Sequence, residues 1–325
     1  MSPIAQLPTY QVGSVGGPVV VYFHGTPGDC SEIEWLKADA EQSNLDVLCL
    51  ERGALDISLR GHDYFHRLAA EIRKHTDDEP IDVIGFSIGA FVAIQVARLL
   101  GRQVRSLHLI SAASPLEAGN FLANMAGRDV FKLAQSAPLA FRLAARVQGV
   151  FASIAPSVLC RILFGSARGG DIELIGTHAF RKSMQSMLKS CLTRHRQGYI
   201  RDVLEYVQPW SATLLPMTVP IKIWHGSHDN WTPLPMANYL KTALEAEAMH
   251  VLNGCSHYSC LLAAWPLICR EIDPTEPGDV NARLLIPNLM ASSTECSQIW
   301  MSRAFHCGRR GLPPSSSPQQ EARRR

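Results

Sequence analysis

Four short segments of the chain hold residue types that suit acyl transfer. The first is Gly85-Phe86-Ser87-Ile88-Gly89. A serine hydroxyl is a weak nucleophile until a base takes its proton. If it sits on a sharp turn, its flanks must be small, because a crowded, strained backbone leaves little room for side chains. Gly85 and Gly89 meet that need. The residues before the serine, Ile81–Phe86, form an apolar run, and those after it continue to Leu100 with helical character. Ser87 therefore falls between a strand and a helix start, where free N–H groups favour developing negative charge. Taken alone, the pentapeptide marks only a glycine-bounded turn; the strand–turn–helix context gives it weight.

A base and an orienting carboxylate complete such a nucleophile. His257, in Asn253-Gly254-Cys255-Ser256-His257, follows an apolar run at 249–252 and precedes a helical stretch. Asp229, in Trp224-His225-Gly226-Ser227-His228-Asp229, follows another apolar run at 221–224. A single loop histidine is usually a surface residue, and a single Asp in such a loop is usually a turn former. Their conjunction with Ser87, in the order Ser, Asp, His, is what points to a triad. The fourth segment, His24-Gly25-Thr26-Pro27-Gly28, follows the strand-like run Val19–Phe23. The N–H groups of Thr26 and Ile88 are the candidate oxyanion donors. Preorganised donors of this kind are typically worth ~2.7–4 kcal/mol of barrier each.

The elements that must position these residues follow from patterning. Apolar runs at 19–23, 45–50, 81–86, 104–110, 221–224 and 249–252 do not alternate in polarity. They suit strands buried on both faces of a parallel sheet. Helical patterns at 64–75, 88–100, 235–246 and 258–272 lie between or after them, the last with a kink or break expected at Pro266. The alternation predicts an α/β fold with a mainly parallel sheet. It stops between about residues 115 and 220, where helices are expected at 121–134, 139–151 and 178–192. The expected organisation is a core domain formed by residues 1–114 and 219–272, a helical cap at 115–218, and a largely disordered extension at 273–325.

Bulk properties narrow the classes. The chain has 325 residues, 46% of them hydrophobic, which allows a sizeable core. Net charge is only +2, and the residues from Asp273 onward, with seven Arg against five Asp plus Glu, carry all of it. Nothing here points to nucleic acid. Nine cysteines without regular spacing read as thiols in a reducing compartment, with Cys49 and Cys160 expected in the core. The N-terminus lacks a signal-peptide pattern. The longest apolar stretch, 147–160, contains Gln148, Gly149 and Pro156. It is shorter than the ~20 residues of a spanning helix. A cytoplasmic protein with no membrane span is expected.

With these motifs in view, the sequence resembles the α/β-hydrolase superfamily, in its capped branch with an HGxPG loop, over roughly residues 8–272. The resemblance implies an α/β-hydrolase fold, a mainly parallel twisted sheet flanked by helices, with a helical cap insertion. It implies Ser87 as nucleophile, Asp229 as acid, His257 as base, and Thr26 and Ile88 as oxyanion donors. No cofactor is implied. Three departures stand out. Glu51-Arg52-Gly53-Ala54 replaces the Asp-Arg-Pro-Gly start of a loop that many relatives carry. The residues after Ile272 have no counterpart in a typical member. Serine rather than aspartate at the nucleophile argues against the dehalogenase and epoxide-hydrolase branches. The expected activity is hydrolysis of a small-molecule carboxylic ester through an acyl-enzyme. A lyase, peroxidase or aminopeptidase on the same scaffold, or a catalytically silent ligand-binding protein, are the alternatives.

Other patterns read as packing or surface. His62 and His66 have a metal-ligand spacing but lack the HExxH pattern, so metal binding is not expected. Cys255 and Cys260 flank His257 and suit the core. Arg142 and Arg146, one helical turn apart, suit a solvated face rather than a substrate carboxylate. Apolar positions of the cap, Phe121, Leu122, Met125, Phe131 and Leu133 and later Leu139, Phe141, Leu143, Val147 and Phe151, are expected to pack onto the core, and in the sharper reading part of that surface lines an apolar pocket.

Overall fold

The computed structural model describes residues 7–273. The expectations for the C-terminal extension after Asp273 lie outside the described residues. Seven strands form one sheet: β1 (Thr9–Gly13), β2 (Val19–Phe23), β3 (Asp46–Leu50), β4 (Ile81–Phe86), β5 (Val104–Ile110), β6 (Ile221–Gly226) and β7 (Ala248–Leu252). Their spatial order is β1-β3-β2-β4-β5-β6-β7. Only β1 runs antiparallel, against β3; every other pairing is parallel. All residues of β3 and β4 are buried, which explains a text that is apolar apart from Asp46 and Asp82 near the strand starts. Strand β1 escapes the sequence reading because it is an edge: Thr9, Tyr10 and Gln11 stay accessible and only Val12 is buried.

The core helices are α1 (Lys37–Gln42), α2 (Gly61–Thr76), α3 (Ile88–Leu100), α10 (Leu234–Ala243) and α11 (His257–Ile272). On α2 the residues Phe65, Leu68, Ala69 and Ile72 form the buried stripe. Helix α10 ends earlier than its pattern suggested, just before Glu245 takes a positive φ of 51°. No break occurs at Pro266, which lies inside α11. The proline forfeits one backbone hydrogen bond. Close packing of the neighbouring Trp265, Ile268 and Cys269 in the core holds the helix through it.

Six helices fill the stretch between β5 and β6: α4 (Arg128–Ser136), α5 (Pro138–Ile154), α6 (Pro156–Leu163), α7 (Gly170–Gly176), α8 (His178–Thr193) and α9 (Arg196–Tyr206). Pro138 and Pro156 open α5 and α6, where a missing N–H costs nothing. The helix expected at 121–134 is instead a 3-10 turn at Leu122–Asn124 followed by α4, with Gly127 as the N-cap. Two apolar clusters sandwich the sheet. One joins α2, α3 and α10 with Phe141, Tyr199 and Val203 of the inserted helices; the other joins α1 and α11 with Met184 and Leu188 of α8. Because β2, β4, β5, β6 and β7 are parallel, their C-terminal ends share one edge. The loops carrying Thr26, Ser87, Asp229 and His257 all leave from it.

Candidate active site

Ser87 occupies the single residue between β4 and α3, with φ 58° and ψ −126°. A positive φ is uncommon for a residue with a side chain and marks the sharp turn that exposes a nucleophile. Ser87 N donates to Ile110 O at 3.0 Å, and Ser87 O accepts from Ala90 and Ala113 at 3.1 and 3.2 Å. The turn is therefore tied to β5 as well as to its own helix. Its glycines are forced by space. A Cβ on Gly85 would lie 2.5 Å from Ala90 Cα, and one on Gly89 would lie 2.3 Å from the carbonyl oxygens of Phe23 and His24.

His257 is the first residue of α11. Ser256 caps that helix in a reciprocal box with Ser259. His257 Nδ1 donates to Asp229 Oδ2 at 2.8 Å, with both side chains almost wholly buried. Asp229 Oδ1 accepts from the N–H groups of Trp231 and Thr232 at 2.8 and 3.0 Å, and Oδ2 accepts from Thr232 Oγ1 at 3.0 Å. Burial alone would raise the pKa of this carboxyl. The charge of His257, its hydrogen bond, His225 and the Thr232 N–H outweigh that and bring it down to about 2. With Nδ1 committed to Asp229, Nε2 is the nitrogen left for a serine proton. The His257 ring lies between Trp231, stacked at 5.6 Å with a 20° interplanar angle, and Phe86 at 4.8 Å. No hydrogen bond joins Ser87 Oγ to His257 among the described residues. Looser contacts are usual in an unliganded site.

Thr26 follows β2 on a loop that several buried groups hold. Glu32 accepts from Gly25 N at 3.1 Å and from the Tyr22 hydroxyl. Arg52 Nη2 donates to His24 O at 2.9 Å and to Thr26 Oγ1 at 3.0 Å. Burial raises the Glu32 pKa to about 7, against the opposing pull of Tyr22, Gly25 and Arg52. No hydrogen bond in the turns and caps uses the N–H of Thr26 or of Ile88. Thr26, Ser87 and Ile88 line one cavity of about 90 Å³ together with Trp231 and Thr232. Gln148, Leu159, Leu163 and Tyr199 of the inserted helices also line it, and its surface is mostly apolar. Of the residues expected in the cap packing, Phe141 is buried and Met125 is both buried and a cavity wall, whereas Leu139, Leu143, Val147 and Phe151 are exposed, because α5 turns them away from the core.

Several residues that shape the site gave no sequence signal. Thr232 bridges Ser111 O and Asp229 at 3.0 Å each. His225 Nε2 donates to Thr232 O at 2.7 Å, and burial lowers the His225 pKa, so it remains a neutral strut. Asp171 of α7 accepts from Tyr258 N at 3.2 Å and Ser259 N at 2.7 Å, fixing the helix start that carries His257. Asp202 of α9 accepts from Arg52 Nε at 2.7 Å. Sequence spacing hides the Asp171 and Asp202 pairs, whose members lie from 87 to 150 residues apart.

A metal could be sought at His24, Cys30 and Glu51, whose ligand atoms lie within 4.8 Å of one another. Both Glu51 oxygens already accept N–H groups, from Cys30 and Gly53 at 3.1 Å each. The Arg52 guanidinium, bonded to His24 O, adds a cation beside them. This cluster reads as support for the loop. His62 and His66 sit exposed on α2 with ring centroids 3.9 Å apart. Cys255 and Cys260 are buried in the core.

The profile of the alpha/beta hydrolase fold family matches residues 18–264, and the chain belongs to that family. Among solved structures it is similar to MGS-M2, an alpha/beta hydrolase enzyme from a Medee basin deep-sea metagenome library. The TM-score is 0.62 at 14% identity, covering 84% of this chain and 96% of that one. It is also similar to an esterase (EaEST) from Exiguobacterium antarcticum, with TM-score 0.57, 15% identity, and 81% and 94% of the two chains covered. A bromoperoxidase from Bacillus anthracis gives 0.58 at 12% identity, covering 86% and 94%. At such identities the likeness speaks for the fold. No curated protein sequence matches the chain.

Proposed function

We propose that the protein is a serine hydrolase that cleaves carboxylic esters through an acyl-enzyme. Ser87 Oγ attacks the ester carbonyl carbon while His257 Nε2 takes its proton. The proton passes to the leaving alkoxide as the C–O bond breaks. Water, deprotonated by His257, then attacks the acyl-enzyme and releases the acid and Ser87. Asp229 holds the imidazole in the required tautomer and stabilises the imidazolium. The N–H groups of Thr26 and Ile88 receive the oxyanion. No cofactor enters this scheme.

The observation that carries the reading is the 2.8 Å His257–Asp229 bond beside a serine held at φ 58°. Structural likeness to an esterase supports it at the level of fold. We read residues 1–114 and 219–272 as the catalytic core and 115–218 as the cap, since Gln148, Leu159 and Leu163 of the inserted helices wall the Ser87 cavity. The apolar wall suits substrates of small to medium size and partly apolar character. All seven described cysteines are buried, which fits thiols in a reducing compartment, and we infer a cytoplasmic location.

The test is labelling with a fluorophosphonate probe, followed by a panel of esters that varies acyl chain and leaving group. Wild type should label and Ser87→Ala should not. Labelling that survives Ser87→Ala would remove Ser87 as nucleophile. Labelling without turnover of any ester would move the activity to another chemistry on the same residues.

A further inference from the structure

Helix α5 is apolar on two opposite faces. Its inner face buries Phe141, Ala145, Gly149 and Ala152. Its outer face carries Leu139, Leu143, Val147, Val150 and Ile154, which are 81%, 60%, 49%, 58% and 74% exposed. At about 100° per residue these five fall within one stripe opposite the buried one. Helix α6 continues the patch with Val158 and Ile162, the latter 68% exposed. A helix that only covers a core would turn polar residues to water here. Contiguous exposed apolar patches mark binding surfaces.

The charges nearby select the occupant. Residues 138–163 contain Arg142, Arg146 and Arg161 and no Asp or Glu. Arg146 and Arg161 are exposed and Arg142 is half-buried. By helical angle, Arg142 and Arg146 border the apolar stripe along one side. A second copy docked on this face by a two-fold axis would set these cations against their own equivalents, with no carboxylate on either helix to answer them. The segment 274–325 is a poor occupant for the same reason, having seven Arg against four Asp plus Glu. An anionic lipid surface supplies both needs: headgroup charge for the arginines and acyl chains for the stripe. No described helix is long and apolar enough to cross a membrane, so the contact is one of lying on the surface.

We propose that the outer face of α5 and α6 binds an anionic lipid surface. The inner sides of these same helices place Gln148, Leu159 and Leu163 on the Ser87 cavity. Given the hydrolase reading above, on which this step rests, docking brings the cavity to apolar acyl esters dissolved in the lipid, and these are its substrate class.

The experiment is co-sedimentation of the full chain with phosphatidylcholine vesicles, with and without phosphatidylserine. Three variants accompany wild type: Leu143→Asp with Ile154→Asp; Arg142→Gln with Arg146→Gln and Arg161→Gln; and Ser87→Ala. Wild type should bind the anionic vesicles, and the apolar-face variant should bind at least about tenfold more weakly. The arginine variant should lose up to about 100-fold, and only on anionic vesicles. The Arg-rich end of the chain can add binding of its own, so the apolar-face variant is decisive. Absence of wild-type binding, or binding untouched by Leu143→Asp with Ile154→Asp, overturns the proposal. So does a wild-type dimer in solution that this variant converts to monomer. Thermal unfolding of the variants at the wild-type midpoint excludes misfolding as the cause. Ser87→Ala should bind like wild type, which separates docking from chemistry. Turnover of a water-soluble short ester should be unchanged in the apolar-face variant, while turnover of a long-chain ester in vesicles falls. Vesicle binding with no ester turnover by wild type would sink the hydrolase reading and leave the surface standing.

Discussion

Replacing Asp202 by alanine tests how the inserted helices support the proposed oxyanion loop. Asp202 Oδ2 accepts from Arg52 Nε at 2.7 Å and Oδ1 accepts from the Tyr64 hydroxyl at 2.9 Å. The two charged side chains are 1% and 3% exposed. Burial by itself would lower the pKa of Arg52, but the Asp202 charge reverses this and raises it, so the guanidinium stays charged. Arg52 Nη1 already lacks a hydrogen-bond partner. Alanine at 202 therefore leaves a buried guanidinium with its countercharge gone and another donor stranded. Removing one member of a buried pair costs about 3–5 kcal/mol. For a folded unit of this size that is a fall in Tm of roughly 6–20 °C. Arg201, 3.6 Å from Asp202, is less affected: it donates to the carbonyl oxygens of Arg52, Leu55 and Asp56 and lies 4.1 Å over the Tyr64 ring.

The loss should be asymmetric. Arg52→Met combined with Asp202→Leu removes both charges and keeps the volume, so it should cost less than Asp202→Ala alone. Urea unfolding followed by tryptophan fluorescence measures Asp202→Ala, the double variant and its two single components, Arg52→Met and Asp202→Leu, and the last three give the coupling energy. Freed from Asp202, Arg52 also loses the fix that aims Nη2 at His24 O and Thr26 Oγ1, so ester turnover should fall while the protein is still folded. The ceiling of that fall is about 10²–10³-fold, the worth of one oxyanion donor. A stability loss below about 1 kcal/mol for Asp202→Ala, or costs in the double variant that simply add, would refute the claim that this pair anchors the loop.

Other consequences follow from the site. Asp229→Asn should keep the fold near neutral pH and lower kcat by on the order of 10³–10⁴-fold, because the imidazole tautomer is no longer enforced; steady-state ester kinetics check this. The Asp229 carboxyl drops from 3.8 to about 2 on folding, so it adds about 2 kcal/mol of stability above pH 3.8 that disappears as pH falls through 2. Acid unfolding of wild type against Asp229→Asn should show that difference, and identical acid midpoints would contradict it. Glu32 has the opposite sign: raised from 4.5 to about 7, it favours the folded state most below pH 4.5 and withdraws about 3 kcal/mol as pH rises through 7. Glu32→Gln should flatten that decline between pH 5 and 8 in thermal scans; an unchanged slope would refute it.

What could be read from the sequence was what the sheet dictates. Parallel strands buried on both faces are mostly apolar runs, and the loops leaving their shared edge are where a site is sought. The candidates Ser87, Asp229 and Thr26 could be picked out because each follows such a run closely; His257 lies further on, after β7, an edge strand that is only partly buried but still apolar in text. Strand β1 was not, because an edge strand pairs on one side and has no reason to be continuously apolar. Helix α9 was illegible for a different reason. Tyr199, Ile200, Arg201, Asp202 and Val203 are all buried in it, so polar and apolar residues share the interior and periodicity fails. The partners of Asp171 and Asp202 depend on the tertiary fold, and no local propensity announces them.

The departure at Glu51-Arg52-Gly53 gains a physical account from these contacts. A Cβ on Gly198 of α9 would lie 2.3 Å from Gly53 Cα, and one on Gly53 would lie 2.8 Å from His195 Cβ. Backbone therefore meets backbone where α9 crosses the loop, and only glycine on both sides allows it. Gly53 N also donates to Glu51 Oε1 at 3.1 Å, a bond that a proline in this place could not make. The close crossing sets Asp202, one turn beyond Gly198, against Arg52, one residue before Gly53. Arg52 in turn grips the loop of Thr26, while Asp171 of α7 grips the helix start of His257 from the middle of the insertion. The inserted helices thus hold two separate parts of the proposed catalytic apparatus through buried carboxylates. A change in their position would reach the oxyanion loop and the histidine together, without any movement of the sheet.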